Sequence, residues 1–131
     1  MPALTAARNT PEQAGNRLYR FPIKAGATIH AGGLTVLDAN GDAQPGAVAT
    51  TLTAAGRAET GSADNPAFVD VRRGVFRWEN SAAGDAITAA DWGKTVFVVD
   101  DQTVAKTNGG STRSAAGICR GVDAAGVWVE T

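Results

Sequence analysis

This 131-residue chain has a single cysteine, a single histidine and few large rings, with Phe, Trp and Tyr together making up 6%. One cysteine, Cys119, closes no internal disulfide, so the fold does not depend on an oxidising compartment. With His30 it offers at most two nitrogen or sulfur ligands, too few for a zinc site, and no metal or cofactor is expected. Charge of one sign is also missing: 12 Lys+Arg face 13 Asp+Glu, a net charge of −1. That balance carries no electrostatic footprint for nucleic acid. No apolar run approaches the ~18 residues that cross a bilayer, and the opening "MPALTAARNTPEQAGNR" lacks the apolar stretch of a signal peptide. The expectation is a soluble chain made in the cytoplasm, with no membrane partner.

What is present is glycine, 16 residues spread along the chain, and a hydrophobic fraction of 44% that leans on Ala, Val, Leu and Ile. Frequent glycine favours short extended segments joined by tight turns. Residues 1–16 show neither a period of 2 nor of 3.6 and read as an extended N-terminal arm; residues 17–131 read as one β domain. Tyr19, Phe21 and Ile23 alternate with Arg20 and Pro22, and Pro22 places that strand at a sheet edge. "LTVLD" (34–38) followed by Asn40-Gly41 predicts a hairpin with a return strand around Val48 to Leu52. Residues 53–66, "TAAGRAETGSADNP", lack large apolar side chains and read as one long loop. Val69 and Val71 share a face, as do Phe76 and Trp78, with a break at Gly74 between the pairs. Thr88 to Asp91 has capping-box spacing for one helical turn ending at Gly93. "TVFVV", "TVAK", "AGICRGV" and "GVWVE" complete eight to ten short antiparallel strands, a small β-barrel or β-sandwich. No period of 20 to 50 residues repeats, and the likeness of Arg73-Gly74-Val75 to Arg120-Gly121-Val122 is too short to argue a duplication.

Candidate chemistry gives way to structural readings. Asp100-Asp101 lies between two β runs, the place of a turn. "DANGD" (38–42) has alternating oxygen donors but a misplaced glycine and no closing glutamate, so a hairpin turn outweighs a calcium loop. No G-x-S-x-G elbow accompanies His30, which leaves a hydrolase built on it as a remote alternative. "TNGGSTRSAAG" (107–117) lacks the Gly-Lys-Ser/Thr of a phosphate loop. The arginines at 72, 73, 77, 113 and 120 are spaced along separate strands and loops, without interleaved aromatics that could stack bases, and suit protein contacts at least as well; Cys119 reads as an inert strand thiol. With no catalytic constellation and no small-molecule substrate implied, binding or structure is the expected class, not an enzyme. Trp78, Trp92 and Trp128, with Phe76, are core or protomer-interface candidates.

The stretch from 72 to 130 resembles the capsid cement, or head decoration, proteins of tailed bacteriophages. The resemblance lies in the order of a Gly-Val-Phe strand, "NSAAGDAIT" leading to Asp-Trp-Gly, the "VFVVDDQTVA" hairpin, "RSAAGI" and the closing "VDAAGVWVE" hairpin. The upstream "IKAGATIHAGGLTVLDANGDAQPG" agrees more loosely. The resemblance implies a small β protein, commonly a homotrimer, on the outer surface of the expanded virion capsid, bridging major capsid protein subunits. On that reading the arm, through Pro2, Leu4, Arg8, Pro11 and Arg17, is the candidate capsid contact. The alternative is a virion-displayed adhesion or carbohydrate-binding module using exposed Trp rings.

Overall fold

A computed structural model describes residues 3, 5–8 and 17–131. The described chain is all-β, with ten strands in two antiparallel sheets of five. The first holds β1 (Leu18–Pro22), β2 (Leu34–Leu37), β3 (Ala43–Pro45), β4 (Thr53–Ala58) and β5 (Phe68–Arg72) in the order β1-β5-β4-β2-β3. The second holds β6 (Val75–Trp78), β7 (Thr95–Val98), β8 (Val104–Ala105), β9 (Ala115–Asp123) and β10 (Gly126–Glu130) in the order β6-β10-β9-β7-β8.

These orders are the same topology twice, and the register agrees in detail. Leu18 opposite Arg72 matches Val75 opposite Glu130, and Val36 opposite Ala54 matches Phe97 opposite Ala115. Each copy carries a register shift at the same place, Thr35/Val36 in one and Val96/Phe97 in the other. Hydrogen bonds outside the ladders match too: Gly32 N to Ala58 O at 2.7 Å with Gly93 N to Cys119 O at 2.8 Å, and Arg73 N to Arg17 O at 2.8 Å with Thr131 N to Gly74 O at 3.0 Å. "LYRFP" lies over "VFRWE", and Ala54-Ala55-Gly56 over Ala115-Ala116-Gly117. The chain is therefore a tandem structural repeat, which lies outside the 20-to-50-residue periods considered from sequence. The repeat is longer than 50 residues, and most of what it keeps is backbone pairing.

Neither sheet closes into a barrel. Opposite edges of a flat five-stranded sheet would stand roughly 19 Å apart, yet single parallel bridges, Ile23 with Ala43 and Glu79 with Thr103, tie the edge regions of each copy together. Each sheet is thus strongly curled around its own apolar face. Ile29, Ala43, Ala55, Ala58, Val69 and Val71 fill the first; Trp78, Ile87, Val96, Val98, Val104, Ala116, Cys119, Val127 and Val129 fill the second. Leu34 and Val36, with Leu52 packed beside them, leave the first unit and join the second core. The turn at Asp100-Asp101 seals the same junction, where Asp101 O accepts from Leu34 N at 2.7 Å. Gly46 is close-packed there, because a Cβ would press on Asp100 O and Val98.

Two strand assignments need correction. The hairpin partner of β2 is β3 at Ala43–Pro45, not 48–52. Pro45 is admissible there because β3 is an edge strand. Residues 53–58, expected in a loop, form β4 at the centre of the first sheet. Small side chains suit that site, since a Cβ at Gly56 would collide with the carbonyl oxygen of Arg72. As expected, β1 lies at an edge, and the break at Gly74 falls where one sheet ends and the next begins.

Candidate functional site

In β6, Trp78 turns inward, and its neighbours Val75 and Arg77 are exposed. Arg77 stands opposite Trp128 of β10, with its guanidinium 5.6 Å from the indole centroid. Trp128 is the register partner of Gly121 of β9, and its ring lies within ordinary van der Waals reach of the position a Cβ there would take. Its Nε1 donates to Asp123 Oδ2 at 3.0 Å, while Asp123 Oδ1 accepts the amides of Ala125 and Gly126. The Trp128 bond, then the amides, hold the Asp123 carboxyl below its usual range.

One residue before Gly121, Arg120 donates to Glu130 at 3.1 Å and covers the Trp92 ring at 4.9 Å. Trp92 follows a single 3₁₀ turn, Ala89–Asp91. Thr88 N donates to Asp91 Oδ2 at 2.9 Å, the reciprocal bond that the spacing of Thr88 and Asp91 predicts. That bond is the main reason the buried Asp91 carboxyl sits below its usual range, with Lys106 and Lys94 assisting. The turn is pinned to β9 through Gly93 N, and it leaves Trp92 60% exposed. Trp128 is 37% exposed and Val75 43%, so two indoles, two guanidiniums and an apolar side chain share the outward face of β6, β10 and β9.

The aromatic candidates divide cleanly. Phe76 and Trp78 pack edge to face, 6.4 Å between centroids, and Trp78 is a core residue. Trp92 and Trp128 are surface residues. Arg77, between Phe76 and Trp78 in sequence, is paired instead with Trp128 of the neighbouring strand, and Arg120, with no aromatic beside it in sequence, acquires Trp92 from a turn; only the strand order reveals these partners. Of the arm candidates, Arg8 and Arg17 are exposed, and Pro2, Leu4 and Pro11 lie outside the described residues. Among the described residues no group of three or more His, Cys, Asp and Glu could hold a metal. The Asp38 carboxylate instead accepts the amides of Asn40 and Asp42, and Asp100 that of Gln102, both as turns. His30 is exposed, and Cys119 is buried in the second core.

No family model, curated protein or solved structure matches this chain. Its function has to be argued from the face just described. An aromatic and arginine composition with little lysine is that of protein-interface centres. At equivalent positions the first unit carries ordinary ion pairs: Arg20 with Asp70 at 2.9 Å where the second has Arg77 with Trp128, and Glu59 with Arg72 at 3.6 Å where it has Arg120 with Glu130.

Proposed function

We propose that this chain is a bacteriophage capsid decoration protein, binding the outside of the expanded head and bridging major capsid protein subunits. The sequence resemblance over 72–130 suggests the role, and the exposed Trp92 and Trp128 face is the observation that carries it. A protein whose work is adhesion needs contact area, not a reactive centre. Burying the free part of one Trp92 ring is worth roughly 2–4 kcal/mol. A homotrimer would present the face three times, and linked weak contacts gain avidity by orders of magnitude. The near-neutral chain lets copies crowd on one shell without strong mutual repulsion.

A displayed carbohydrate-binding module would also use exposed indoles. Here each indole already carries an arginine over its ring, which competes for the surface a sugar would stack on. Mixing the purified protein with expanded, undecorated capsids and imaging them decides the matter. Added density at fixed outer positions, in threefold clusters, is the expected result. Bare shells at saturating protein would refute the proposal, and glycan binding in their place would establish the alternative.

A further inference from the structure

Where the two units meet, a cleft of about 430 Å³ opens beside the tryptophan face. Gly32 and Arg57 line it from the first unit, and Phe76, Arg77, Trp78 and Trp128 from the second. No Asp or Glu is among its lining residues. Arg57 lies 4.3 Å over the Phe76 ring, and its charge is answered by Glu59, which Arg72 also approaches. Arg77 lies over Trp128 and forms no ion pair among the described residues. Trp78, only 5% exposed, has its indole Nε1–H buried with no acceptor. Arg77, with no ion pair, is the one lining guanidinium left to answer, and with no lining carboxylate and a buried, unpartnered indole N–H in the Trp78 wall the cleft is complementary to a hydrogen-bond acceptor that carries negative charge.

We infer that this cleft is an anchor pocket for an acidic side chain, Asp or Glu, presented by a protein partner. A guanidinium stacked on a ring keeps its N–H edge free in the plane, the geometry in which it grips a carboxylate with two parallel bonds. Trp128 holds the Arg77 guanidinium in that way, whereas Arg57 already gives its Nε and Nη2 to Glu59; the exposed Val75 and Trp128 provide apolar ground for the residues flanking the acid. A free inorganic anion would use the charge but not those walls. The inference rests on the reading of this chain as an adhesion protein and specifies what the partner must display.

The chain has three tryptophans, so a ¹⁵N-labelled sample gives three indole signals; Trp92→Phe and Trp128→Phe assign their own and leave that of Trp78. The probes are acetyl-Leu-Glu-Leu-amide and its Gln counterpart, with acetate and phosphate alone as controls. The Glu peptide is expected to move the Trp78 signal saturably, and the Gln peptide to bind about tenfold more weakly, the worth of one charge-assisted contact. Arg77→Gln should lose the same factor and Arg77→Lys part of it; the lysine variant carries the test if the glutamine variant does not fold. A Trp78 signal that ignores the Glu peptide, equal binding of the two peptides, or an equal effect of acetate or phosphate overturns the inference. Failed titration by a protein that still decorates capsids removes the pocket and spares the decoration role; intact titration without decoration does the reverse.

Discussion

The two units of this chain share a strand order, a register and a bulge, but they differ in what fills them and in what they show to solvent. Inside, the first unit places Ala43, Ala58 and Phe21 where the second places Val104, Cys119 and Trp78. The second core is fuller, and it takes Leu34 and Val36 from its neighbour as well. Outside, an Arg–Asp pair in the first becomes an Arg–Trp stack in the second, and the 3₁₀ turn Ala89–Asp91 before β7, which has no counterpart before β2, lifts Trp92 outward. The shared features are those that backbone pairing requires. The outward differences are concentrated on one face, which marks the second unit as the specialised one.

Because the repeat extends to backbone close approach, its two matching glycines should fail alike. Gly56 and Gly117 both have φ in the positive range, +142° and +154°, and a Cβ on either would strike a carbonyl oxygen, of Arg72 and Glu130 respectively. Gly56→Ala and Gly117→Ala are each expected to cost about 3–5 kcal/mol, since backbone has to move. Urea midpoints measure this, and tolerance of one but not the other would break the equivalence. The next effect tests the asymmetry. Leu34→Ala should cost about 2–5 kcal/mol and raise amide exchange in β7 and β9 of the second unit. Thr95, at the matching position, is exposed, and Thr95→Ala should stay within about 0.5 kcal/mol. Faster exchange confined to the first unit after Leu34→Ala would mean that the two cores are independent.

Much of the second unit could be read directly, because Val96, Val98, Val127 and Val129 alternate with exposed or half-buried neighbours and so announce strands. The first unit hides its central strand. Thr53–Ala58 carries no large apolar residue, and only its neighbours show that Ala55 and Ala58 are core. The return strand β3 was hidden for a related reason, being three residues long and ending in proline. The tandem repeat itself survives in hydrogen-bond register more than in residue identity, so periodicity of side chains could not find it. The candidate face was half visible: its tryptophans stood out, while Arg77 and Arg120 reach them only across strands.

Acid should separate the units further. Among the described residues four carboxyls are held below their usual range, and of these only Asp70, through Arg20, belongs to the first unit. Asp85, bonded by Thr107 and then Arg113, joins Asp91 and Asp123 in the second. A carboxyl with a lowered native pKa stabilises the fold fully above its unfolded value, near 4, and that contribution is lost as the pH falls through the native value. Between about pH 5 and pH 2 the second unit is therefore expected to lose amide protection before the first. Simultaneous loss in both would show that the three bonded carboxyls add nothing selective.

The smallest effect on stability should accompany the largest on attachment. Trp92 contributes little to either core: it is the most exposed large apolar residue among those described, on a turn fixed by Asp91 and Gly93 and not by the indole. Trp92→Ala is expected to shift folding stability by no more than about 0.5 kcal/mol. Loss of the ring's contact should nonetheless weaken capsid attachment about tenfold or more per protomer, and more steeply where several copies bind together. Arg20→Ala, which removes the matching ion pair on the first unit, should leave attachment unchanged, because an exposed pair of that kind contributes little. Sedimentation with expanded capsids compares the two variants side by side. Equal retention would mean that the aromatic face is not the adhesive one, and that the divergence of the second unit from the first serves something other than the shell.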